Sequence, residues 1–319
     1  MISTTAGISN STWRMKNADP APSGAERPAR DAGLPARLAL RELDWIVPDW
    51  PASPNVRALM TTRNADAVDG VRRSMNLGRA NGGHAESVER NRVLLREVVG
   101  VESLWLSQAH GIDVVTADDS AQFASADAAI AMRPGRAATV RVADCMPVLF
   151  ARRDGAVVGA AHAGWRGLCA GVLEATVHAM RRADRADSPG DVGAAASANP
   201  AAATAFAAQA GGSRAAHDDI VAWMGPAIGP ESFEVGDDVR DAFIARDPAA
   251  SATFVAFPGR PGKWLADLYA LARMRLRALG IESISGGNFC TVRDQDRFFS
   301  YRRDASGERM AALVWIEPA

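Results

Sequence analysis

Ala156-Val157-Val158-Gly159-Ala160-Ala161-His162-Ala163-Gly164-Trp165-Arg166-Gly167 decides the fold class, because it runs from strand chemistry into helix chemistry. The small and branched residues of 156–161 suit a buried strand, and 167–182 predicts a helix. Upstream, 139–143 reads as a second buried strand that leads into Asp144-Cys145-Met146-Pro147. Farther out, 84–99 carries Val88, Leu95 and Val99 at helical spacing, with Gly100 as its stop. A strand is expected at 220–224, ending at Gly225-Pro226. Leu265, Leu268, Ala272, Leu276 and Leu279 form one helical stripe closed by Gly280. A C-terminal hairpin is expected from 298–302 and 310–316 around Asp304-Ala305-Ser306-Gly307. Strands neither alternate strictly with helices nor cluster apart. The expected fold is therefore mixed α/β (α+β), a single layered domain with mixed β-sheets flanked by helices.

Two stretches lack any period. Residues 1–41, punctuated by Pro20, Pro22, Pro28 and Pro35, read as a disordered leader, and about 181–219 as an Ala-rich, low-complexity insertion. The rest of 42–319 fits one catalytic domain. Of the 319 residues, 48% are apolar, enough to build a core, and 36 basic side chains balance 37 acidic ones. A nucleic-acid binder would show a basic excess. No apolar run is long enough to span a membrane, and 1–31 lacks the apolar stretch of a secretory signal. Three cysteines, Cys145, Cys169 and Cys290, make no disulfide framework. A cytoplasmic protein with neither membrane nor nucleic-acid partners is expected.

His110, in Gln108-Ala109-His110-Gly111, Cys145 and His162 each follow a strand-like run and precede a glycine or proline. Strand ends are where layered α/β domains display reactive groups. Two imidazoles and a thiolate are a plausible metal set, and three protein ligands leave a fourth tetrahedral position open, as in catalytic zinc sites. The spacing matches no short zinc signature, so an inert buried Cys145 and a loop-bonding His162 stand as the bland alternatives. His84, His178 and His217 read as solvated or satisfied histidines, Cys169 and Cys290 as packing residues. Asp144, beside the thiol, either orients a ligand histidine or caps a turn.

Five motifs occur in order: Gln108-Ala109-His110-Gly111, Ala143-Asp144-Cys145-Met146-Pro147, His162-Ala163-Gly164-Trp165-Arg166-Gly167, Gly225-Pro226-Ala227-Ile228-Gly229-Pro230 and Phe299-Ser300-Tyr301-Arg302-Arg303-Asp304. Together they strongly resemble the YfiH family, the laccase-domain purine nucleoside phosphorylases, also named multicopper polyphenol oxidases or peptidoglycan editing factors. Thr61-Thr62-Arg63, Met75-Asn76-Leu77-Gly78 and Asn91-Arg92 match its N-terminal part. The resemblance implies a zinc held by His110, Cys145 and His162. It also implies phosphorolysis of adenosine, inosine and methylthioadenosine, with adenosine deamination as a companion activity. Purine nucleosides and inorganic phosphate would be the partners. Where the family usually has a histidine and an aspartate after Asn-Leu-Gly, this chain has Ala80 and Gly83.

That chemistry suits the residue types. Zinc lowers the pKa of bound water toward about 7, suiting attack at carbon-6 of adenine. Phosphorolysis needs phosphate held near the anomeric carbon, a task for arginine's planar fork; Arg63, Arg166 and Arg302, in family-like motifs, are the candidates. Three rivals stand beside this reading. His2Cys with Met146 would suit a mononuclear copper site, but five histidines are too few for a multicopper cluster. A thiol hydrolase acting on a cell-wall precursor would use Cys145 as nucleophile with His162 or His110 as base. A regulatory module without turnover is the third.

Overall fold

The computed structural model describes residues 33–68, 71–79, 85–183 and 219–318. Residues 34–319 cluster as one compact unit. Its first sheet holds β1 (Val56–Met60), β4 (Glu102–Leu104), β7 (Arg136–Val142) and β15 (Met310–Ile316), in the order β1-β15-β7-β4. The second holds β5 (Val114–Thr116), β6 (Ala128–Ala131), β8 (Met146–Arg152), β9 (Val158–Ala163), β10 (Ile220–Met224) and β14 (Ile284–Gly286), in the order β14-β10-β8-β9-β6-β5. Both are mixed: β4 runs parallel to β7, β5 to β6 and β10 to β14, and the other pairings are antiparallel. Two small sheets complete the set, β2 (Asn64–Val68) with β3 (Val71–Ser74), and β11 (Glu234–Gly236) with β12 (Phe254–Ala256) and β13 (Lys263–Ala266).

The two large sheets pack face to face, and helices cover both outer faces. Strand periodicity sorts β15 between two cores: Met310, Ala312, Val314 and Ile316 point into the sandwich, while Ala311, Leu313 and Trp315 point outward. There they meet α1 (Leu34–Leu40) and α2 (Ala85–Val99) through Leu34, Leu38, Leu95 and Val98. On the far side, Met146, Val148 and Phe150 of β8 pack with α3 (Trp165–Ala170), α4 (Val172–Arg182) and α6 (Leu268–Ala278). The remaining helices are α5 (Asp237–Arg246) and the one-turn α7 (Tyr301–Asp304). Burial on both faces explains why these strands read as continuous apolar runs rather than alternating ones. The expected mixed, layered α/β fold is the observed one.

Local departures have physical reasons. The helix expected at 167–182 is two helices, because Gly171 takes φ +113° between α3 and α4. Leu265 lies in β13, so the helical stripe begins at Leu268 behind the Asp267 cap, which accepts the N–H of Ala270 at 2.9 Å. The C-terminal hairpin does not form. Phe298 and Phe299 are buried in the sandwich core, Ser300 caps α7, and β15 pairs with β1 and β7 instead. Within the leader expected at 1–41, residues 34–40 form α1 with Leu34 and Leu38 buried, and residues 1–32 lie outside the described residues. At the insertion, Arg181 and Arg182 belong to α4, and Arg181 pairs with Asp219 at 3.0 Å. Residues 184–218 lie outside the described residues, as do His84, His217, Ala80 and Gly83.

Leu38→Ala should therefore lower unfolding free energy by about 2 kcal/mol or more, through lost burial and a cavity over the first sheet. Deleting 1–41, harmless for a true leader, should be destabilising for the same reason. Urea denaturation checks both, and an unchanged midpoint would show that α1 contributes nothing to the core.

Candidate metal centre

β7, β8, β9 and the loop before β5 bring the three expected ligands together at one end of the sandwich. Their ligand atoms lie within 4.8 Å of one another, with His110 exposed, Cys145 half-buried and His162 buried. Cys145 Sγ is 3.7 Å from His110 Nε2, and the two imidazoles meet edge to face at 4.8 Å between centroids. Tetrahedral zinc with Zn–S near 2.3 Å and Zn–N near 2.0–2.1 Å would separate its ligand atoms by about 3.4–3.6 Å. The donor set and its spacing fit such an ion with little movement. Solvent reaches the group on the His110 side, which leaves room for a further ligand or substrate.

Close approach dictates one glycine. A Cβ on Gly164 would lie 2.9 Å from both Cys145 Sγ and His110 Cδ2, so the glycine after His162-Ala163 is what lets the ligands converge. Gly164 also precedes α3, so the same residue ends the strand that carries His162 and starts the helix beside it.

The charge balance of the group is unusual. Burial pushes the Cys145 thiol up, but hydrogen bonds and charge from His110 and His162 pull it further down, to about 6. Burial pushes His162 down, and its contacts with Asp127 and Cys145 raise it to about 9. Both directions express one fact: the pocket stabilises a thiolate and wants positive charge beside it. A divalent cation and a proton on the His162 imidazole are alternative ways to supply that charge.

Asp127, not among the candidates expected from the sequence, organises the site. Its carboxylate accepts the backbone N–H groups of Ala109, His110 and Gly111 at 3.0, 2.9 and 2.7 Å. It also meets His162 Nδ1 at 2.8 Å. With Nδ1–H donated to that carboxylate, Nε2 of His162 carries the lone pair that a metal needs. Burial pushes the Asp127 carboxyl up, yet the bonds from His162, Gly111 and Ala109 hold it below its ordinary value. One sequence signal was visible: Asp127 is the single acid in the apolar run 126–131.

Asp144 has a different job from orienting a histidine. Its carboxylate accepts Thr291 Oγ1–H and the Arg302 backbone N–H, each at 2.6 Å, and its carbonyl accepts the N–H of Ile228 at 2.9 Å. It ties the Cys145 turn to the Gly225–Pro230 and Phe299–Asp304 motifs.

The three candidate arginines are spread over separate partners. Arg63 donates to the carbonyl of Gln295 at 2.8 Å and lies over Phe299. Arg166 is exposed and folds over Trp165 at 4.5 Å. Arg302 donates to the carbonyl of Glu234 at 3.1 Å and lies over Phe233. His178 is exposed on α4, and Cys169 packs in the helix-side core. Cys290 is buried and accepts the Gly229 N–H at 3.3 Å.

Fold and site together define a two-sheet α/β protein with a His2Cys group at the sandwich end. The chain belongs to the family described as multi-copper polyphenol oxidoreductase laccase, whose profile matches residues 57–199 and 189–317. It is 43% identical to a Pseudomonas aeruginosa protein named purine nucleoside phosphorylase PA4543, over 86% of this chain and 98% of that one. It is 42% identical to the Escherichia coli protein named purine nucleoside phosphorylase YfiH, over 85% and 98%. Among solved structures, Neisseria meningitidis NMB0706 superposes with a TM-score of 0.71 at 39% identity, covering 86% of this chain and all (100%) of that one. YlmD from Geobacillus stearothermophilus gives 0.63 at 25% identity, covering 83% and 93%.

Asp127→Asn should weaken metal binding about 10–100-fold, as losing a ligand's hydrogen-bond partner generally does. Asp144→Asn should leave metal affinity near that of the unaltered chain. Chelator competition on the two variants separates them; equal loss in both would show a general loosening rather than a histidine-specific role.

Proposed function

We propose that this chain is a zinc-dependent purine nucleoside phosphorylase that cleaves adenosine, inosine and methylthioadenosine and also deaminates adenosine. The observation that carries the reading is the convergence of His110, Cys145 and His162 within 4.8 Å at a solvent-accessible strand end. Relatives named purine nucleoside phosphorylase, matched over nearly their whole length, support it.

Zinc, when bound by these residues, would supply a Lewis acid and an activated water. The chain's own residues supply the rest. Asp127 holds the His162 imidazole and the backbone of the His110 loop in place, Gly164 leaves space for the ligand atoms, and Asp144 seats the C-terminal motif against the Cys145 turn. In phosphorolysis a phosphate oxygen bonds to the anomeric carbon as the glycosidic bond breaks, and the purine leaves with a proton. In deamination water adds at carbon-6 and ammonia leaves. The placement of Met146 supports zinc over copper: this side chain, which would be the axial ligand of a copper site, packs fully buried in one core with Val148 and Phe150. A cysteine hydrolase would pair its thiolate with one base, whereas here two imidazoles converge on one sulfur.

With phosphate present, adenosine should yield adenine plus ribose 1-phosphate, and inosine should appear without a phosphate requirement. Cys145→Ala should lose the metal and both reactions while keeping a cooperative melt. Chromatography of products with elemental analysis checks this. Absence of phosphate-dependent adenine, or full metal occupancy in the Cys145→Ala variant, would overturn the reading.

A further inference from the structure

Four arginines, none of them among the three considered above, gather on the outer face of the first sheet. Arg141 is the penultimate residue of β7, and its side chain shares the outward face with Ala137. It is only 8% exposed. One nitrogen donates to the carbonyl of Leu106 at 2.8 Å, but its Nε is buried with no hydrogen-bond partner. Arg92 of α2 lies over Trp105 and Phe123, at 5.1 and 5.4 Å from their centroids, and its Nε is also buried and unpartnered. Arg309 precedes β15 and donates to the carbonyls of Ser306 and Glu308. The backbone N–H groups of Arg309 and Gly78 both bond Asn76 Oδ1, and Arg92 reaches the Gly78 carbonyl at 3.4 Å. Arg79 follows Gly78. Burial, then the charges of Arg92, Arg79 and Arg309, press the Arg141 guanidinium down to about 10.

Such a cluster needs a counter-charge. Among the described residues, no acid forms an ion pair with Arg141 or Arg309, and Arg92 meets only Glu89, at 3.4 Å, itself 66% exposed. A buried charge without a partner is costly, and several of one sign are more so. Planar guanidinium forks with free N–H groups match the oxygens of a tetrahedral oxyanion. The position is also suggestive of use. Arg141 is locked by its backbone to Gln108, which donates to its carbonyl at 2.8 Å and accepts its N–H at 2.9 Å. Gln108 is two residues from His110, and Arg141 is four from Cys145. One pair of segments thus carries Arg141, the most buried member of the cluster, and two of the three metal-site residues.

We propose that Arg141, Arg92, Arg309 and Arg79 form a phosphate-binding site, which supplies the oxyanion for phosphorolysis. The site deepens the phosphorylase reading and rests on it only for the use to which the anion is put. Phosphate could enter free or as the ester of a nucleotide, and the two chemistries share the same contacts.

The test is binding of inorganic phosphate, and separately of adenosine monophosphate, to the full chain by calorimetry and by thermal shift. Phosphate should raise the melting temperature, as any ligand of the folded state does. Arg141→Met should weaken phosphate binding roughly tenfold or more, the scale of a lost charge-assisted bond. It should do so without lowering the melting temperature of the phosphate-free protein, because the variant removes an uncompensated buried charge. Arg92→Gln, at a second position, should weaken binding likewise, and Arg133→Ala, an exposed residue paired with Asp119, should not. Tighter binding of the nucleotide than of phosphate, lost in the same variants, would support the site and assign it to the ester. Phosphate binding unchanged in Arg141→Met and Arg92→Gln would overturn the proposal, as would no binding to the unaltered chain. The two readings fail differently. Arginine-dependent phosphate binding without phosphorolysis removes the phosphorylase and keeps the site; phosphorolysis with an unchanged KM for phosphate in both variants does the reverse.

Discussion

The Asp127 carboxylate, buried at the head of β6, is the contact on which the candidate metal centre depends. Four N–H groups converge on it, three from the His110 loop and one from the imidazole of His162. Without that carboxylate, the loop's successive amides would face a strand end with nothing to accept them, and unmade buried hydrogen bonds cost about 1–3 kcal/mol each. The same oxygen atoms settle two separate questions. They place the His110 loop against β6 and they select which nitrogen of His162 faces the thiolate. The β-ladder makes this possible, since the His162 N–H bonds the Asp127 carbonyl at 2.8 Å and so sets the two side chains side by side.

How much of this was legible depends on how local the determinant was. β10 and α2 were readable because their patterns are contained within a few turns or residues, and β15 because seven consecutive residues are buried on both faces. His110, Cys145 and His162 were readable as candidates because chemistry-bearing residues interrupted strand-like runs before a glycine or proline. Asp127 was not, because its role exists only through partners 16 to 18 and 35 residues away. Asp144 stays open in the sequence between orienting a histidine and capping a turn for the same reason; its partners Thr291 and Arg302 come from the far end of the chain. The α7 motif failed differently. Phe298 and Phe299 have strand propensity, but the Ser300 cap and the Arg302 N–H bonded to Asp144 favour a helical turn. The helix α1 is hidden among prolines, and only the outward-facing side of the first sheet, with Leu59, Leu313 and Trp315, gives Leu34 and Leu38 something to cover.

Layering also explains where reactive groups can go. Strands buried on both faces have no exposed side on which to present a histidine or thiol. Residues 138, 140 and 142 of β7, and 158 and 160 of β9, fill the sandwich interior. The next positions along those faces, at the strand ends, are the first from which a side chain can reach the edge of the sandwich without opening the core. His162 occupies that position on β9, and Cys145 lies just beyond β7. The convergence of the group at one end is thus a consequence of sheet geometry together with the ladder register that sets His162 opposite Pro147.

Backbone strain adds the last element. His110 and Asp144 both take left-handed conformations, φ +62° and +81°, which a side-chain-bearing residue adopts at a cost of about 1–3 kcal/mol. Each is over-determined by its neighbours. His110 is held by the three amide bonds to Asp127, and Asp144 by Thr291, the Arg302 amide and the Ile228 amide. A strained turn held by several hydrogen bonds from distant segments is stiff, because relaxing it would break all of them together. Two such turns, one bearing His110 and the other leading into Cys145, face each other across the Gly164 gap. Rigid placement of soft ligands lets the site keep its ligand spacing before any ion enters, so that less ordering remains to be done on binding.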